Sequence, residues 1–362
     1  MKNNQEELAK KYQKKSDKQH VLDNPDTYIG SIENINNNSY VYDSNEKKII
    51  EKSINYIPGL YKLFDEGIVN CRDHSIRMQQ LIDSNSEEKN YPVTNINITI
   101  DTDGTITLYN DGNGIDVSIH PEYNIWIPEL IFGHLRTSTN YNKDEKKIVG
   151  GKNGFGFKLV LIWSKWGKIE TVDHKTGQKY IQEFHDNLNI IDKPKITKCK
   201  NKPYTSVSFK PDFERLKING FDEDFKSLML RRIYDIAAVT NKSIKVKYNS
   251  QEVEIKSFFN YIDLYIGNKN ETERIYEQPN ERWEYAVCIA PNEEFTQISF
   301  VNGIYTSKGG KHVDYITNQI IKKITSFIKT KKHIDVKPAS IKEQLMIFVN
   351  CTIENPAFDS QT

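Results

Sequence analysis

Residues that suit phosphate binding occur in one glycine-rich stretch, Gly150-Gly151-Lys152-Asn153-Gly154-Phe155-Gly156-Phe157-Lys158. Glycine permits positive φ angles and lets the backbone approach a ligand closely. The apolar run that continues to Trp163 predicts a buried helix, and a glycine loop that leads into a helix directs free N–H groups at one point. Gly-rich turns also precede helices that bind nothing, so the stretch alone does not establish a phosphate site.

The residues around this stretch exclude two common phosphate motifs. No Lys-Ser or Lys-Thr pair closes it, so it is not a Walker A loop. Residues 142–147, which precede it, are polar and charged, whereas a dinucleotide fingerprint follows an apolar strand. A phosphate site here would therefore belong to another class of nucleotide-binding fold.

A polar stripe on a helix predicted over residues 59–82 is the second candidate for chemistry. Glu66, Asn70, Asp73 and Arg77 recur at spacings of four, three and four, which places them on one helix face. The opposite, apolar face consists of Phe64, Ile68, Cys71, Met78 and Ile82. Asn is unfavourable inside a helix, so its presence needs a reason. On the pattern alone, a solvated face and a functional face are equally good interpretations.

Predicted strands and helices surround these two stretches. Residues 95–101 and 105–109 alternate in polarity around Asp103-Gly104, which predicts a β-hairpin. The second strand runs into Asn110-Asp111-Gly112-Asn113-Gly114, where the glycines let a ligand lie flat against the backbone. Further short strands and helices are predicted over residues 128–136, 169–209 and 221–240. We place a domain boundary near Ser257, and the predicted elements beyond it are strands over 283–289, 298–302 and 346–353 and a helix over 313–328.

The composition indicates a globular protein without a general affinity for nucleic acid. The 362 residues include 50 Lys and Arg against 49 Asp and Glu, so the net charge is +1 and any contact with DNA is local. This length allows two domains. The four cysteines lie far apart and form no CxxC pair, which favours a reducing compartment and argues against a zinc site. With no signal peptide and no long apolar run, we expect a soluble intracellular protein.

Five blocks follow one another along the chain: residues 26–30 (DTYIG), 58–66 (PGLYKLFDE), 150–157 (GGKNGFGF), 307–315 (SKGGKHVDY) and 353–362 (IENPAFDSQT). Together they resemble the ATPase region of type IIA DNA topoisomerases, on the eukaryotic and large-DNA-virus side of that family. The resemblance covers nearly the whole chain. It implies an α+β protein with an N-terminal arm over residues 1–18, a GHKL (Bergerat) ATPase α/β sandwich over 19–256, and a ribosomal-protein-like transducer domain over 257–362.

The resemblance also implies a function for the whole assembly. ATP and Mg²⁺ are the expected cofactors. Binding of ATP closes a homodimeric N-terminal gate that captures a DNA duplex for strand passage, and hydrolysis reopens the gate. We expect weak, non-specific binding of this chain to double-stranded DNA, no contact with membranes, and a location in the nucleus or at a viral DNA replication site in the cytoplasm.

By resemblance, individual residues receive roles in ATP hydrolysis. Glu66 is the general base that deprotonates the attacking water, and Asn70 is the Mg²⁺ ligand. Asn110 stands where many GHKL proteins have Asp and eukaryotic topoisomerases have Asn, and its carbonyl oxygen accepts the adenine amino group. Further ATP contacts are implied for Ser138, Thr139, Asn140, Gly151 to Lys158, Gln361 and Thr362.

Two contacts outside the ATP site are implied as well. Tyr12 lies in a segment that resembles the arm by which the family reaches across to the partner subunit's nucleotide. Lys329, Lys331 and Lys332 resemble a basic loop by which the transducer faces DNA, although such a cluster is more commonly a solvated loop.

Two features depart from the family pattern. His74 stands where the eukaryotic enzymes usually have Asn. The pattern continues beyond Gln361-Thr362 with a lysine that touches the γ-phosphate, and the metal-and-tyrosine machinery for DNA cleavage is absent. We therefore expect this chain to be the N-terminal part of a longer protein, whose continuation by that lysine raises ATP turnover.

Two other functions are candidates. One is another GHKL enzyme, such as a MutL-type repair ATPase or a heat-shock chaperone, which the blocks at residues 307–311 and 359–362 disfavour. The other is a nucleotide-binding dimerisation module without catalysis, which Glu66 disfavours. A comparison of ATP turnover with ATP binding separates the second alternative from an ATPase.

Overall fold

The computed structural model describes residues 16–84, 87–135 and 156–358. Some of the residues with predicted roles lie outside these ranges, and their roles stay predictions. They are Tyr12, Ser138, Thr139, Asn140, Gly151, Lys152, Asn153, Gly154, Phe155, Gln361 and Thr362.

Helices and strands alternate through the described residues. The helices are α1 (Asp17–Asp23), α2 (Pro25–Tyr28), α3 (Pro58–Asp83), α4 (Ile127–Gly133), α5 (Gly156–Ile162), α6 (Glu223–Ala238), α7 (Phe258–Ile266), α8 (Lys311–Lys332) and α9 (Pro338–Glu343). The strands are β1 (Ile35–Asp43), β2 (Lys48–Tyr56), β3 (Asn95–Ile100), β4 (Ile106–Asp111), β5 (Ser164–Asp173), β6 (Gln178–His185), β7 (Ile190–Ile191), β8 (Lys195–Lys198), β9 (Tyr204–Pro211), β10 (Lys245–Tyr248), β11 (Gln251–Glu252), β12 (Ile275–Asn280), β13 (Trp283–Ile289), β14 (Thr296–Val301), β15 (Ile304–Tyr305) and β16 (Leu345–Cys351). Within the described ranges, no helix has the length and apolar character needed to cross a membrane.

A mixed sheet forms the centre of the N-terminal part. Its strands lie in the order β11-β10-β3-β4-β9-β5-β6-β7, and β8 pairs with the edge of β6. The predicted hairpin is present as β3 and β4, and Gly104 takes a φ of +85° in the turn between them. Only the pairing of β10 with β3 is parallel among the ladders of this sheet that the structure describes.

Three helices cover one face of this sheet and bury its apolar side chains. Helix α3 begins at Pro58, whose missing N–H costs nothing at a first helical position. Helix α6 begins after Asp222, whose carboxylate accepts from the Phe225 N–H. The core that α3, α5 and α6 share with the sheet contains Phe64, Ile68, Ile96, Ile98, Leu108, Val160, Ile162, Met229 and Ile233.

A second sheet, with strand order β12-β13-β16-β14-β15, forms the C-terminal part. Strand β16 is buried on both faces, and its side chains alternate between two cores as the strand period of two requires. Met346 and Phe348 pack towards α7, while Ile347 and Val349 pack towards α8 and α9. Helix α7 starts at the predicted boundary, with the Ser257 hydroxyl accepting from the Asn260 N–H.

The two parts are joined by buried apolar contacts. The core around α7 includes Ala238 and Val239 from the end of α6, and Tyr42 and Ile49 from the β1–β2 hairpin. An apolar core therefore continues across residue 257, and the division into domains at this residue stays a prediction.

The structure corrects two features predicted from the sequence. The residues at the end of the predicted arm, Asp17 and Lys18, belong to α1, because Ser16 caps that helix by accepting from the Gln19 N–H. The predicted helix over residues 313–328 extends to Lys332 and ends at His333, which takes the left-handed conformation. The hairpin β1–β2 and the strand β12 were not predicted.

Candidate nucleotide site

Glu66 and Asn70 meet the start of α5 at Gly156. A Cβ atom built on Gly156 would lie 2.6 Å from Glu66 Oε2 and 3.7 Å from Asn70 Nδ2. The lack of a side chain at Gly156 is thus what allows the carboxylate of α3 to lie against the backbone of α5. The two sequence stretches that suggested chemistry therefore come together at one point in the fold.

Lys62 holds the carboxylate of Glu66. Its Nζ lies 2.9 Å from Glu66 Oε1, one helical turn away on α3. Burial acts to lower the pKa of Lys62, but the negative charges of Glu66 and Asp65 outweigh it and raise that pKa. Lys62 therefore stays cationic and orients Glu66, whose side chain remains 26% exposed and accessible to water.

Asn70 has a local reason to occupy the middle of a helix. Its side-chain Nδ2 donates to the backbone carbonyl of Glu66 at 2.7 Å. This hydrogen bond fixes the amide, whose carbonyl oxygen is the atom able to bind a cation. Asn70 and Glu66 are only partly buried, whereas Asp73, on the same predicted stripe, is 1% exposed. The interpretation of the stripe as a solvated face is therefore wrong for Asp73.

Asn110 lies at the end of β4, in the floor of the same cleft. It is buried, and its Nδ2 donates to the Asp111 carbonyl at 2.9 Å, so its Oδ1 is the acceptor. The neighbouring strand places Thr205 directly opposite Asn110. Beyond it, a Cβ on Gly114 would lie 1.9 Å from the Val172 carbonyl oxygen, which shows why glycine is needed where this loop returns to β5.

His74 lies near the Asn110 end of the cleft. Its Nε2 is 3.1 Å from the position that a Cβ on Gly112 would take. Burial lowers the pKa of His74 to about 4, so the imidazole is neutral at physiological pH. A neutral imidazole adds no charge to this part of the cleft.

Lys158 brings a positive charge to the cleft from the first turn of α5. Burial lowers its pKa to about 8, so the side chain is near the midpoint of its titration in mildly alkaline solution. An anion bound beside it would raise that pKa again, since opposite charge favours the protonated form.

One cleft of about 1640 Å³ is lined by every predicted ATP-site residue that the structure describes. These residues are Glu66, Asn70, Asn110, Gly156, Phe157 and Lys158. Arg77, from the predicted polar stripe, also lines the cleft, and so does Phe358 from the end of the described chain. The cleft is large enough for a nucleoside triphosphate.

The predicted basic loop is the end of a helix instead. Lys329, Lys331 and Lys332 lie in the last turn of α8, where lysine side chains interact favourably with the helix dipole. All three are exposed, none lines the cleft, and Lys329 pairs with Asp335 at 2.9 Å. The interpretation of this cluster as a loop is wrong, while its role towards DNA stays a prediction.

Several residues near the site were not predicted from the sequence. Lys62 stands four residues before Glu66, a spacing that itself signals an ion pair on a helix. Thr205 had no such signal, because only the pairing of β9 with β4 brings it beside Asn110. Asp65 was also missed, and it accepts from Arg232 Nε at 2.6 Å on α6, far away in the sequence.

Comparisons with known proteins agree with this arrangement. A family model described as DNA gyrase B matches residues 255–362. The DNA topoisomerase 2 of Saccharomyces cerevisiae is 43% identical over 371 residues, which cover 97% of this chain and 25% of the yeast protein. The DNA topoisomerase 2 of Acanthamoeba polyphaga mimivirus is 42% identical over 99% of this chain and 28% of its own length. The chain thus spans about a quarter of the length of these relatives.

A solved structure matches the fold over nearly its full extent. The crystal structure of the ATPase region of yeast topoisomerase II superposes with a TM-score of 0.88 at 43% identity, covering 98% of this chain and 89% of the yeast region. The predicted α+β fold of GHKL type is therefore confirmed. The chain belongs to the family of type II DNA topoisomerase ATPase regions.

Proposed function

We propose that this chain binds ATP with Mg²⁺ in the cleft between α3, α5 and β4 and hydrolyses it. The observation that carries the proposal is the position of the Glu66 carboxylate against Gly156, in the same cleft as Asn70 and Asn110. The partly exposed carboxylate of Glu66, on α3, lies against the first residue of α5. In this position it is suited to activate water beside a phosphate. The similar yeast region is itself described as an ATPase region.

Four residues of the cleft have distinct parts in the proposed reaction. Asn110 accepts a hydrogen bond from the adenine amino group, which selects adenine because guanine carries an oxygen at that position. Lys158 places positive charge near the phosphates. Glu66 accepts the proton of the attacking water at its carboxylate, and Lys62 keeps that carboxylate in place by the 2.9 Å ion pair.

The residues present suit one Mg²⁺ ion held chiefly by the nucleotide. Asn70 offers a neutral amide oxygen, and Mg²⁺ retains most of its ligands from phosphates and water. Mg²⁺ would neutralise the phosphate oxygens when bound. Among the described residues, no group of three His, Cys, Asp or Glu side chains forms a denser metal cage.

We further propose that the chain is the ATP-operated gate of a type II DNA topoisomerase. In this proposal two copies associate when ATP is bound and separate after hydrolysis. A DNA duplex is captured between them, and exposed lysines at the end of α8 contact it. The support is the similarity to two proteins named DNA topoisomerase 2 and the extended match to the yeast ATPase region.

The decisive variant is Glu66→Gln, which keeps the size of the side chain and removes its basicity. We expect ATP affinity to be retained and turnover to fall by roughly 10²- to 10⁴-fold, the usual contribution of a general base. Glu170→Gln is the matched control, because Glu170 also pairs with a lysine, Lys179 at 2.7 Å, at similar exposure but outside the cleft. Parent-level turnover in Glu66→Gln would contradict the assignment of the base.

The same experiment tests the binding module without catalysis. If the parent chain binds ATP but its turnover is no greater than that of Glu66→Gln, the chain is a nucleotide-dependent dimerisation module. Light scattering with and without a non-hydrolysable ATP analogue then measures the association itself. Equal mass in both states would contradict the proposed gate.

A further inference from the structure

A two-residue turn, Asn302-Gly303, connects β14 to β15 and is buried. Its φ angles of +51° and +79° are those of the Asn-Gly turns that favour tight hairpins. Such turns usually lie at the protein surface. Asn302, however, is 0% exposed.

Two arginines cover this turn and hold its carbonyl groups. Arg72 Nη1 donates to the Asn302 carbonyl at 2.8 Å, and Arg232 Nη2 donates to the Gly303 carbonyl at 2.9 Å. A Cβ on Gly303 would lie 2.4 Å from Arg72 Cδ, so a side chain there would collide with Arg72. Both arginines are buried, and burial of a guanidinium is costly unless its partners are well placed.

Both arginines connect the turn to the helix that carries Glu66. Arg72 belongs to α3 itself, six residues after Glu66. Arg232 lies on α6 and donates through Nε to Asp65 Oδ1 at 2.6 Å, and Asp65 is the residue next to Glu66. A shift of α3 therefore cannot leave the turn unchanged without breaking buried charged hydrogen bonds.

On its other side the turn forms hydrogen bonds with the segment that follows β16. Asn302 Nδ2 donates to the Ile353 carbonyl at 2.9 Å, and the Ile353 N–H donates back to Asn302 Oδ1 at 2.8 Å. The Asn302 N–H also donates to the Cys351 carbonyl at 3.0 Å. The chain held in this way continues to Phe358, which lines the nucleotide cleft.

We propose that the Asn302-Gly303 turn couples the position of α3 to the segment of residues 353–358. Arg72 and Arg232 are positioning residues that fix the turn relative to Glu66, and the Asn302 amide fixes the segment relative to the turn. The inference deepens the proposed function, on which it rests, by naming the path through which the nucleotide site sets the position of the C-terminal part.

Two substitutions weaken this path at different points without removing charge from the core. Asn302→Gly suits the positive φ and keeps the turn but deletes the two bonds to Ile353. Arg232→Lys keeps the charge but cannot hold Asp65 and the Gly303 carbonyl together, because lysine lacks the planar fork of arginine. Arg274→Lys is the matched control, since Arg274 also joins a carboxylate, Asp263, to a glycine carbonyl while lying away from α3.

Hydrogen–deuterium exchange of the full chain, with and without a non-hydrolysable ATP analogue and Mg²⁺, measures the coupling. In the parent, the analogue is expected to slow exchange in residues 66–72 and in 353–358. Asn302→Gly should speed exchange of the Ile353 amide by roughly tenfold even without nucleotide, as the loss of one to two buried hydrogen bonds implies. In Asn302→Gly, the analogue should still protect residues 66–72 but no longer protect 353–358. In Arg232→Lys, which keeps the Arg72 bond to the turn, protection of 353–358 should be reduced, whereas Arg274→Lys should behave as the parent.

The outcomes separate the coupling from the nucleotide site. If the analogue protects 66–72 but also protects 353–358 equally in the parent and both variants, the turn transmits nothing and the inference is overturned. If 353–358 is unaffected in the parent while 66–72 is protected, the inference is likewise overturned. If the analogue protects neither region in the parent, the proposed nucleotide site itself is wrong, and the coupling falls with it. Should Asn302→Gly fail to fold, Arg232→Lys decides between the same outcomes.

Discussion

Replacement of Gly156 by Ala tests whether Glu66 acts where the structure places it. The new Cβ would lie 2.6 Å from Glu66 Oε2, whereas ordinary contacts of this kind begin at 3.4 Å. The carboxylate must therefore retreat by about 0.8 Å or rotate away. A misplacement of about 1 Å at a reacting group costs on the order of 10²-fold in rate. We expect turnover of ATP to fall by about that factor.

Stability should not fall with activity in this variant. Gly156 is the first residue of α5 and does not take a positive φ, so alanine fits the backbone, and alanine is a better helix former than glycine. Among the residues that the structure describes, the only short contact is with the tip of the flexible Glu66 side chain, which yields before the core does. The Gly156 N–H is retained, so ATP affinity should change little.

Steady-state ATPase activity, ATP binding and thermal unfolding are compared for the parent, Gly156→Ala and the control Gly133→Ala. Gly133 is also a helical glycine, in α4, and its new Cβ would lie 3.3 Å from Ile191 Cδ1 and Phe184 Cε1 and 3.7 Å from Glu129 Cγ. Combining Gly156→Ala with Glu66→Gln should cost no more than Glu66→Gln alone, since both act through one carboxylate. A turnover equal to the parent's, or a fully additive loss in the double variant, would refute the reasoning.

Three other predictions follow from the site and the surface. Asn70→Ala should weaken ATP binding in the presence of Mg²⁺ and leave the Mg²⁺-free affinity unchanged in titration calorimetry; an unaltered Mg²⁺ dependence would contradict its role as ligand. Because the pKa of Lys158 is lowered to about 8, its charge is complete well below pH 8 and is lost as the pH rises through 8, so ATP affinity should decline over that range, and ATP binding at pH 9 should take up protons. Lys158→Met should show neither effect. Replacing Lys329, Lys331 and Lys332 by Ala should flatten the salt dependence of DNA binding by up to roughly three contacts of ~0.9 each, and an unchanged slope would leave them as solvated side chains.

The features predicted well from the sequence are those encoded over short distances. The spacing of Glu66 and Asn70 required only that one helix form, and a helix forms there because its apolar residues recur with the helical period. The Asp103-Gly104 turn likewise specifies the β3–β4 hairpin within a few residues. Placing Gly156 beside Glu66 needed the family resemblance, because no local pattern brings α3 and α5 together.

Features whose local residues compete were predicted less well. The strand β1 begins Ile35-Asn36-Asn37-Asn38, and Asn disfavours strands. Pairing with β2 and packing against α6 and α7 therefore stabilise it. Near the other end of the chain, the positive charges of Lys331 and Lys332 led to the prediction of a loop. Lysine is a good helix former, and no Gly or Pro interrupts α8 before His333.

The buried hydrogen bonds of Arg72 and Arg232, which join α3, α6 and the Asn302-Gly303 turn, could not be predicted from the sequence. Asp65 and Arg232 are 167 residues apart, and Arg72 and Asn302 are 230 residues apart. Neither pair has a spacing, a motif or an apolar period from which the contact could be predicted. Such pairs are unfavourable to bury unless their geometry is satisfied, so hydrophobic burial alone would favour apolar residues there. Their presence beside Glu66 agrees with the proposed coupling, in which the position of α3 sets the position of residues 353–358.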